Sequence, residues 1–224
     1  MNEIKKNALV AGQSLSEEDL AAINKHTLRP LTAEEIFAFK LAACNNQMDR
    51  DLERFTEDCL EGLAKLYVGK PVLMDHEWSA GTQTARIYAV AVEDMPGVEG
   101  GRQLVMRCYM LRDEQTKGVV NALEAGILKE CSVGCAVGRA ACSICGKDRL
   151  LEICPHRKGE SYNGKLCHPE LDEPRDAYEV SLVAVPAQPG AGVTKAKKTP
   201  PEPWTEKARQ LLDLEAVRFG ALRR

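Results

Sequence analysis

The chain of 224 residues has no apolar run approaching the roughly 20 residues that a membrane span needs. Its first residues, Met1 to Gln13, carry charges without a sustained apolar stretch, so no secretory signal is expected there. An excess of one charge is also missing. Lys and Arg total 30 against 33 Asp and Glu, a net charge of −3, which gives no general attraction to nucleic acid or anionic lipid. No internal repeat is visible, and histidine is scarce: His26, His76, His156 and His168 are all there are. Cysteine, by contrast, is abundant, with nine residues. A cytosolic setting is the expectation, and in a reducing compartment these cysteines point to metal binding or buried thiols rather than disulfides. With 44% hydrophobic and 28% charged residues, the chain suits one domain with appendages.

Along the chain, residues 1–29 form a polar N-terminal segment, in which Ser16 to Asn24 has the N-cap and acidic first turn of a short helix. Strands are expected at Ile36–Cys44, Pro71–Met74, Gln83–Glu93 and Gln103–Arg112. The last two are joined by a Pro/Gly-rich turn, Met95 to Gly101. Helices are expected at Thr56–Tyr67, stopped by Gly69, and at Asp113–Ala125, closed by Gly126. A strand over Leu128–Gly138 and a final one over Tyr178–Val185, ended by Pro186, flank an irregular cysteine-rich stretch from Cys142 to His168. Pro186 to Pro203 has the composition of a flexible linker, narrowed at the domain boundary to 193–203, and residues 204–224 have helical spacing. About six strands with two or three helices give an α+β domain over residues 30–192. Its mainly antiparallel sheet is expected to curl into a barrel or half-barrel flanked by helices.

In the strand Glu130-Cys131-Ser132-Val133-Gly134-Cys135-Ala136-Val137-Gly138, the alternate positions 131, 133, 135 and 137 are apolar. The period of two puts those side chains in the core and Ser132 on the other face, among residues too small to cover it. An uncovered hydroxyl on a rigid strand can serve as a nucleophile if a base and an orienting group reach it. His76 directly follows an apolar strand, which can aim it as that base. His26 lies in the polar segment, and the other two histidines fall in the cysteine stretch. Glu179 and Ser181 share the polar face of the last strand, so Glu179 is the expected orienting carboxylate. Glu130 and Asp75 are rivals for that place. The plain alternative is a solvated sheet face carrying ordinary serine and glutamate. For the oxyanion, the backbone around Gly134 and the Arg139 side chain are the candidates.

The ordered set Lys70-Pro71-Val72-Leu73-Met74-Asp75-His76, then Ser132-Val133-Gly134, then Glu179-Val180-Ser181-Leu182-Val183-Ala184-Val185-Pro186-Ala187, resembles the capsid maturation (prohead) serine proteases of tailed phages. The resemblance runs from about Pro30 to Gly192 and includes Asp49 to Phe55. It implies a fold like that of the herpesvirus assemblins, a β-barrel wrapped by helices, with His76 as general base and Ser132 as nucleophile. It also implies capsid and scaffold proteins as substrates, self-association or self-cleavage, and a place in the bacterial host cytoplasm inside the assembling prohead. The runner-up is an inactive, zinc-stabilised capsid assembly protein.

Cys142-Ser143-Ile144-Cys145-Gly146 is a CxxC knuckle, followed by Cys154-Pro155-His156 and Cys167-His168. Zinc takes four S/N ligands, and this short loop has no room for a core of its own, so a metal is a sensible organiser. Cys142, Cys145, Cys154 and His156 are the expected ligands, with Cys167 or His168 as replacements for His156. A closed set of four leaves no position for water, so the zinc is structural. The insertion departs from the minimal prohead protease. Its few basic residues (Lys147, Arg149, Arg157, Lys158, Lys165) are interleaved with acidic ones, so no direct nucleic-acid partner is expected. Cys44, Cys59, Cys108, Cys131 and Cys135 fall mostly on apolar faces and are expected to pack as small hydrophobes.

Overall fold

The computed structural model describes residues 15–194. The beginning of the polar segment, the linker beyond residue 194 and the helix expected at 204–224 lie outside the described residues. The chain runs α1 (Glu17–Asn24), β1 (Ile36–Asn45), β2 (Arg54–Phe55), α2 (Glu57–Tyr67), β3 (Pro71–Met74) and β4 (Ala85–Asp94). It continues with β5 (Arg102–Leu111), α3 (Lys117–Glu124), β6 (Cys131–Cys142), β7 (Ser161–Tyr162), β8 (Lys165–Leu166), β9 (Pro169–Leu182) and β10 (Gly192–Val193).

Eight strands make one mixed, mainly antiparallel sheet in the order β10-β1-β5-β4-β3-β9-β2, with β6 also paired to β9. The parallel contacts are β3 with β9 and β2 with β9. The class is therefore α+β. The sheet curls far enough for Glu130, just before β6, to bridge Gly192 of β10, yet it stays open and no closed barrel forms among the described residues. The larger core lies on one face, where α2 buries Cys59, Leu60, Leu63 and Tyr67 against Val180, Leu182, Met106 and Ile87. Burial of each such leucine contributes about 1.5–3 kcal/mol. A smaller core on the other face gathers Ile23, Leu31, Ile36, Ala38, Tyr88 and Tyr109. Ile23 is fully buried, so α1 packs on the sheet although the sequence sets residues 1–29 apart as polar.

Side chains fix the helix ends. The Ser16 hydroxyl accepts the Asp19 N–H and the Thr56 hydroxyl accepts the Cys59 N–H, each satisfying an otherwise orphaned donor. After α2, Gly69 takes a positive φ of 83° and turns the chain into β3. The third helix starts at Lys117, four residues later than expected, because Asp113 Oδ1 accepts the Gln115 and Thr116 N–H groups and holds those residues in a turn. Residues 186–194 also depart from the linker reading. Gln188 and Ala191 are buried, and Gly192–Val193 pairs with β1 as β10.

Candidate active site and metal centre

β3 ends at Met74 and delivers a tight turn. The Glu77 N–H bonds the Met74 carbonyl at 3.0 Å, and both intervening residues have positive φ, Asp75 at 51° and His76 at 55°. Left-handed non-glycine residues cost of order 1–3 kcal/mol each and persist only where the surroundings hold them. Two bonds from β9 do so here. The Asp75 N–H donates to the Leu182 carbonyl and the His76 N–H to Ser181 Oγ, both at 3.0 Å.

Glu179 lies two residues before Ser181 on β9 and is 2% exposed. Its Oε1 is 2.8 Å from His76 Nδ1, and its Oε2 accepts the Ser181 hydroxyl at 2.5 Å. A carboxylate only accepts, so Nδ1 carries the proton and Nε2 is left as a free acceptor on a half-exposed ring. β6 lies antiparallel to β9 with Ser132 opposite Ser181 and Gly134 opposite Glu179. Residues directly opposite in a ladder share a face, so Ser132 stands beside the Ser181–Glu179–His76 chain. Among the described residues, no hydrogen bond engages the Ser132 hydroxyl. The Ser-x-Gly spacing has a steric reason: a Cβ at Gly134 would overlap Glu179 Oε1.

The rivals stand elsewhere. Glu130 pairs with Lys129 at 3.4 Å, and no hydrogen bond or ion pair engages the Asp75 carboxylate among the described residues. Arg139 is seven residues along β6 from Ser132, roughly 20 Å at strand rise. Its guanidinium donates to the Gly146 carbonyl in the cysteine-rich insertion, away from Ser132. Sequence reasoning placed Ser181 on the right face without seeing that it holds both His76 and Glu179. It also gave the Tyr67 hydroxyl no part, whereas that hydroxyl donates to the Gly134 carbonyl at 3.0 Å. Burial pushes the Tyr67 phenol well up from its ordinary pKa, so it remains a neutral donor. The polar tip of a tyrosine on an apolar helix face was the available signal.

The insertion after β6 brings a second set of residues together. Cys142 is the last residue of β6, which fixes its position. Gly146 N–H closes a turn on the Cys142 carbonyl at 2.8 Å and so presents Cys145. Sγ of Cys142, Cys145 and Cys154 and a ring nitrogen of His156 all lie within 4.8 Å of one another. Cys145 Sγ is 3.7 Å from Cys154 Sγ, and His156 Nδ1 is 3.8 Å from Cys142 Sγ and 3.7 Å from Cys154 Sγ. A tetrahedral site with metal–sulfur bonds of about 2.3 Å has edges near 3.8 Å, so the donor set fits a metal ion. Burial opposes ionisation of Cys142. The N–H groups of Cys145 and Ile144, with the Cys154 and Cys167 thiols, outweigh it and draw Cys142 down to about 6. Cys167 Sγ touches Cys142 at 3.8 Å and takes Arg149 Nη1 at 3.7 Å, but it lies outside the group of four. His168 is also outside, with Nδ1 3.1 Å from the Leu166 carbonyl.

The remaining thiols pack in the core. Burial pushes Cys59 and Cys131 up to about 12 and Cys135 up to about 11, so they stay protonated at neutral pH. Among the described residues, no helix is long and apolar enough to cross a membrane. A scan of protein-family models and searches of curated proteins and of solved structures give no match to the chain.

Proposed function

We propose that the chain is a serine endopeptidase that processes scaffold and capsid proteins during tailed-phage prohead maturation, inside the assembling shell in the bacterial cytoplasm. The observation that carries the reading is the buried Glu179 carboxylate on His76 Nδ1, with Ser132 opposite Ser181 on the neighbouring strand. In this mechanism His76 Nε2 takes the proton from Ser132 Oγ as the oxygen attacks the scissile carbonyl. Glu179 stabilises the imidazolium, which then protonates the leaving amine, and water releases the acyl-enzyme. Backbone N–H groups beside Gly134 are the candidates for the oxyanion. Substrates include this chain itself if its linker reaches the site.

Cys142, Cys145, Cys154 and His156 would hold a structural Zn²⁺. Bound there it would supply folding energy to a loop without a core, and four protein ligands would leave no place for a reacting water.

A second reading, an inactive zinc-stabilised capsid assembly protein, is favoured by the Ser132 hydroxyl having no hydrogen bond to His76. Against it, such contacts are often loose before substrate binds. Co-expression with neighbouring capsid and scaffold proteins, followed by fragment masses, separates the two. The endopeptidase reading expects cleavages that Ser132→Ala abolishes, and labelling by a serine-reactive phosphonate that the same substitution removes. Cleavage unchanged by Ser132→Ala sinks it.

A further inference from the structure

On one side β6 pairs with β9; on the other it ends the sheet. The two ends of that outer edge are closed. Glu130 bridges Gly192 and the Cys131 N–H bonds the Ala191 carbonyl, while the Ala140 carbonyl accepts the Arg149 N–H and Ala141 bridges Asp148. Between them, residues 132–139 have no strand partner on that side among the described residues. Such a stretch spans roughly 26 Å and presents backbone donors and acceptors. Proteins usually cover or blunt an open edge, and where they leave one it is a template for adding a strand.

Two cavities run beside this edge. One, of about 210 Å³, meets Ser132, Val133 and Cys135 and is walled by Asp49, Asp51 and Glu53. It is smaller than the roughly 300–1,000 Å³ of a small-molecule site and suits one side chain. The other, of about 460 Å³, continues from Cys135 past Val137 and Ala140 to Leu150 of the metal-holding insertion. They share Glu53, Cys135 and Leu171, so they form one groove. Their chemistry differs along its length. Glu53 is paired with Lys158 at 3.0 Å, but among the described residues neither Asp49 nor Asp51 has a cationic partner within 4.0 Å. Burial raises the pKa of Asp49; the Glu53 N–H, which donates to its Oδ1 at 2.8 Å, opposes the rise, and repulsion from Asp51 and Glu53 adds to it, so a cation entering there relieves an electrostatic cost. At the far end the wall is mainly apolar, made by Val137, Ala140, Leu150 and Pro169 with Arg149 beside them, and Leu150 stands more than half exposed.

We infer that an extended polypeptide adds to the open edge of β6 as a strand, with a Lys or Arg side chain in the acidic cavity beside Ser132 and an apolar side chain against Leu150. This rests on reading Ser132 as the nucleophile. It also gives the metal-holding insertion a role beyond its own folding, because the insertion builds the far wall of the substrate groove.

The test uses the full-length Ser132→Ala protein and three pools of ten-residue peptides, each with Lys, norleucine or Glu at the central position and random residues elsewhere. Hydrogen exchange locates the binding and titration ranks the pools. The Lys pool is expected to slow exchange at residues 133–139 and to bind at least tenfold tighter than the norleucine pool. Adding Asp51→Lys, an exposed position, reverses the order to favour Glu. Absence of protection at 133–139, or three pools that bind alike with either residue at position 51, overturns the proposal. The wild-type chain separates the two readings. Binding of the Lys pool without cleavage keeps the groove and removes the endopeptidase. Cleavage that ignores Asp51→Lys keeps the endopeptidase and removes the groove.

Discussion

Glu179 divides its duties between two oxygens, one on His76 Nδ1 and one on the Ser181 hydroxyl. Glu179→Gln keeps the volume but places an amide where a carboxylate stood. Its NH₂ donates to Nδ1 and forces the proton onto Nε2, which removes the base. Peptidase activity is expected to fall about 10³–10⁴-fold, read as kcat/KM, with the unfolding midpoint little changed. Equal loss of fold and activity would make Glu179 merely structural. Ser181→Ala leaves the His76 N–H and Glu179 Oε2 without partners in a buried place, which costs about 1–3 kcal/mol in urea unfolding. It also frees the strained turn at His76. The alternation of small and apolar residues made Ser132 legible in the sequence. The link from Ser181 to the His76 backbone was not, because it depends on β3 lying parallel beside β9, and no local pattern reports which strands are neighbours.

At the scale of elements, α2 and β9 are fitted closely enough that a helix propensity rule fails. In an exposed helix, Gly62→Ala would stabilise by up to about 1 kcal/mol. Here a Cβ at Gly62 would overlap the Pro174 ring, and overpacking costs about 1–3 kcal/mol, so the expected sign is destabilising. Chemical denaturation of the variant gives that sign directly. Pro174 also explains what the sequence hid. Pro169–Ala177 is dense in proline and charge and carries no strand pattern, yet it forms the first half of β9. Proline is tolerated because it lies at a register shift against β6, between Ala136 and Val137. β2 and β10 are two residues each, too short for any periodicity to show. The cluster of Cys142, Cys145, Cys154 and His156 was legible because a donor set that could hold a metal shows in its spacing. A chelator that strips the metal is expected to release one zinc per chain and to raise hydrogen exchange across residues 143–168. β1 and β5, held by the main core, should be left protected. Uniform loss of protection would mean the metal supports the whole domain.

Across the whole molecule, the sheet is sandwiched between the main core and a smaller layer under α1, and one buried carboxylate ties that layer down. Asp19 accepts from the Ser16 hydroxyl at 3.0 Å, from the Tyr88 hydroxyl at 3.1 Å and from Arg107 Nη1 at 3.1 Å. Burial raises its pKa, but the Ser16 and Tyr88 bonds and the Arg107 charge outweigh this and leave it below the ordinary 3.8. A carboxyl with a lowered folded pKa adds stability above its unfolded value and loses it as the pH falls through the folded one. Asp19→Asn is therefore expected to cost about 1.5–3 kcal/mol at pH 7, the range for hydrogen bonds to a charged group. The gap to wild type should stay constant down to about pH 5 and narrow below pH 3.8, where the unfolded wild-type chain binds the proton while the folded carboxyl still resists it. Urea unfolding of both proteins across that range measures the gap. A difference independent of pH would mean that shape and not charge holds α1 to the sheet. Tyr88 and Arg107 stand on neighbouring strands, so the same carboxylate also clamps β4 to β5 beneath the helix. The loss should then be accompanied by faster amide exchange in both strands, not in α1 alone.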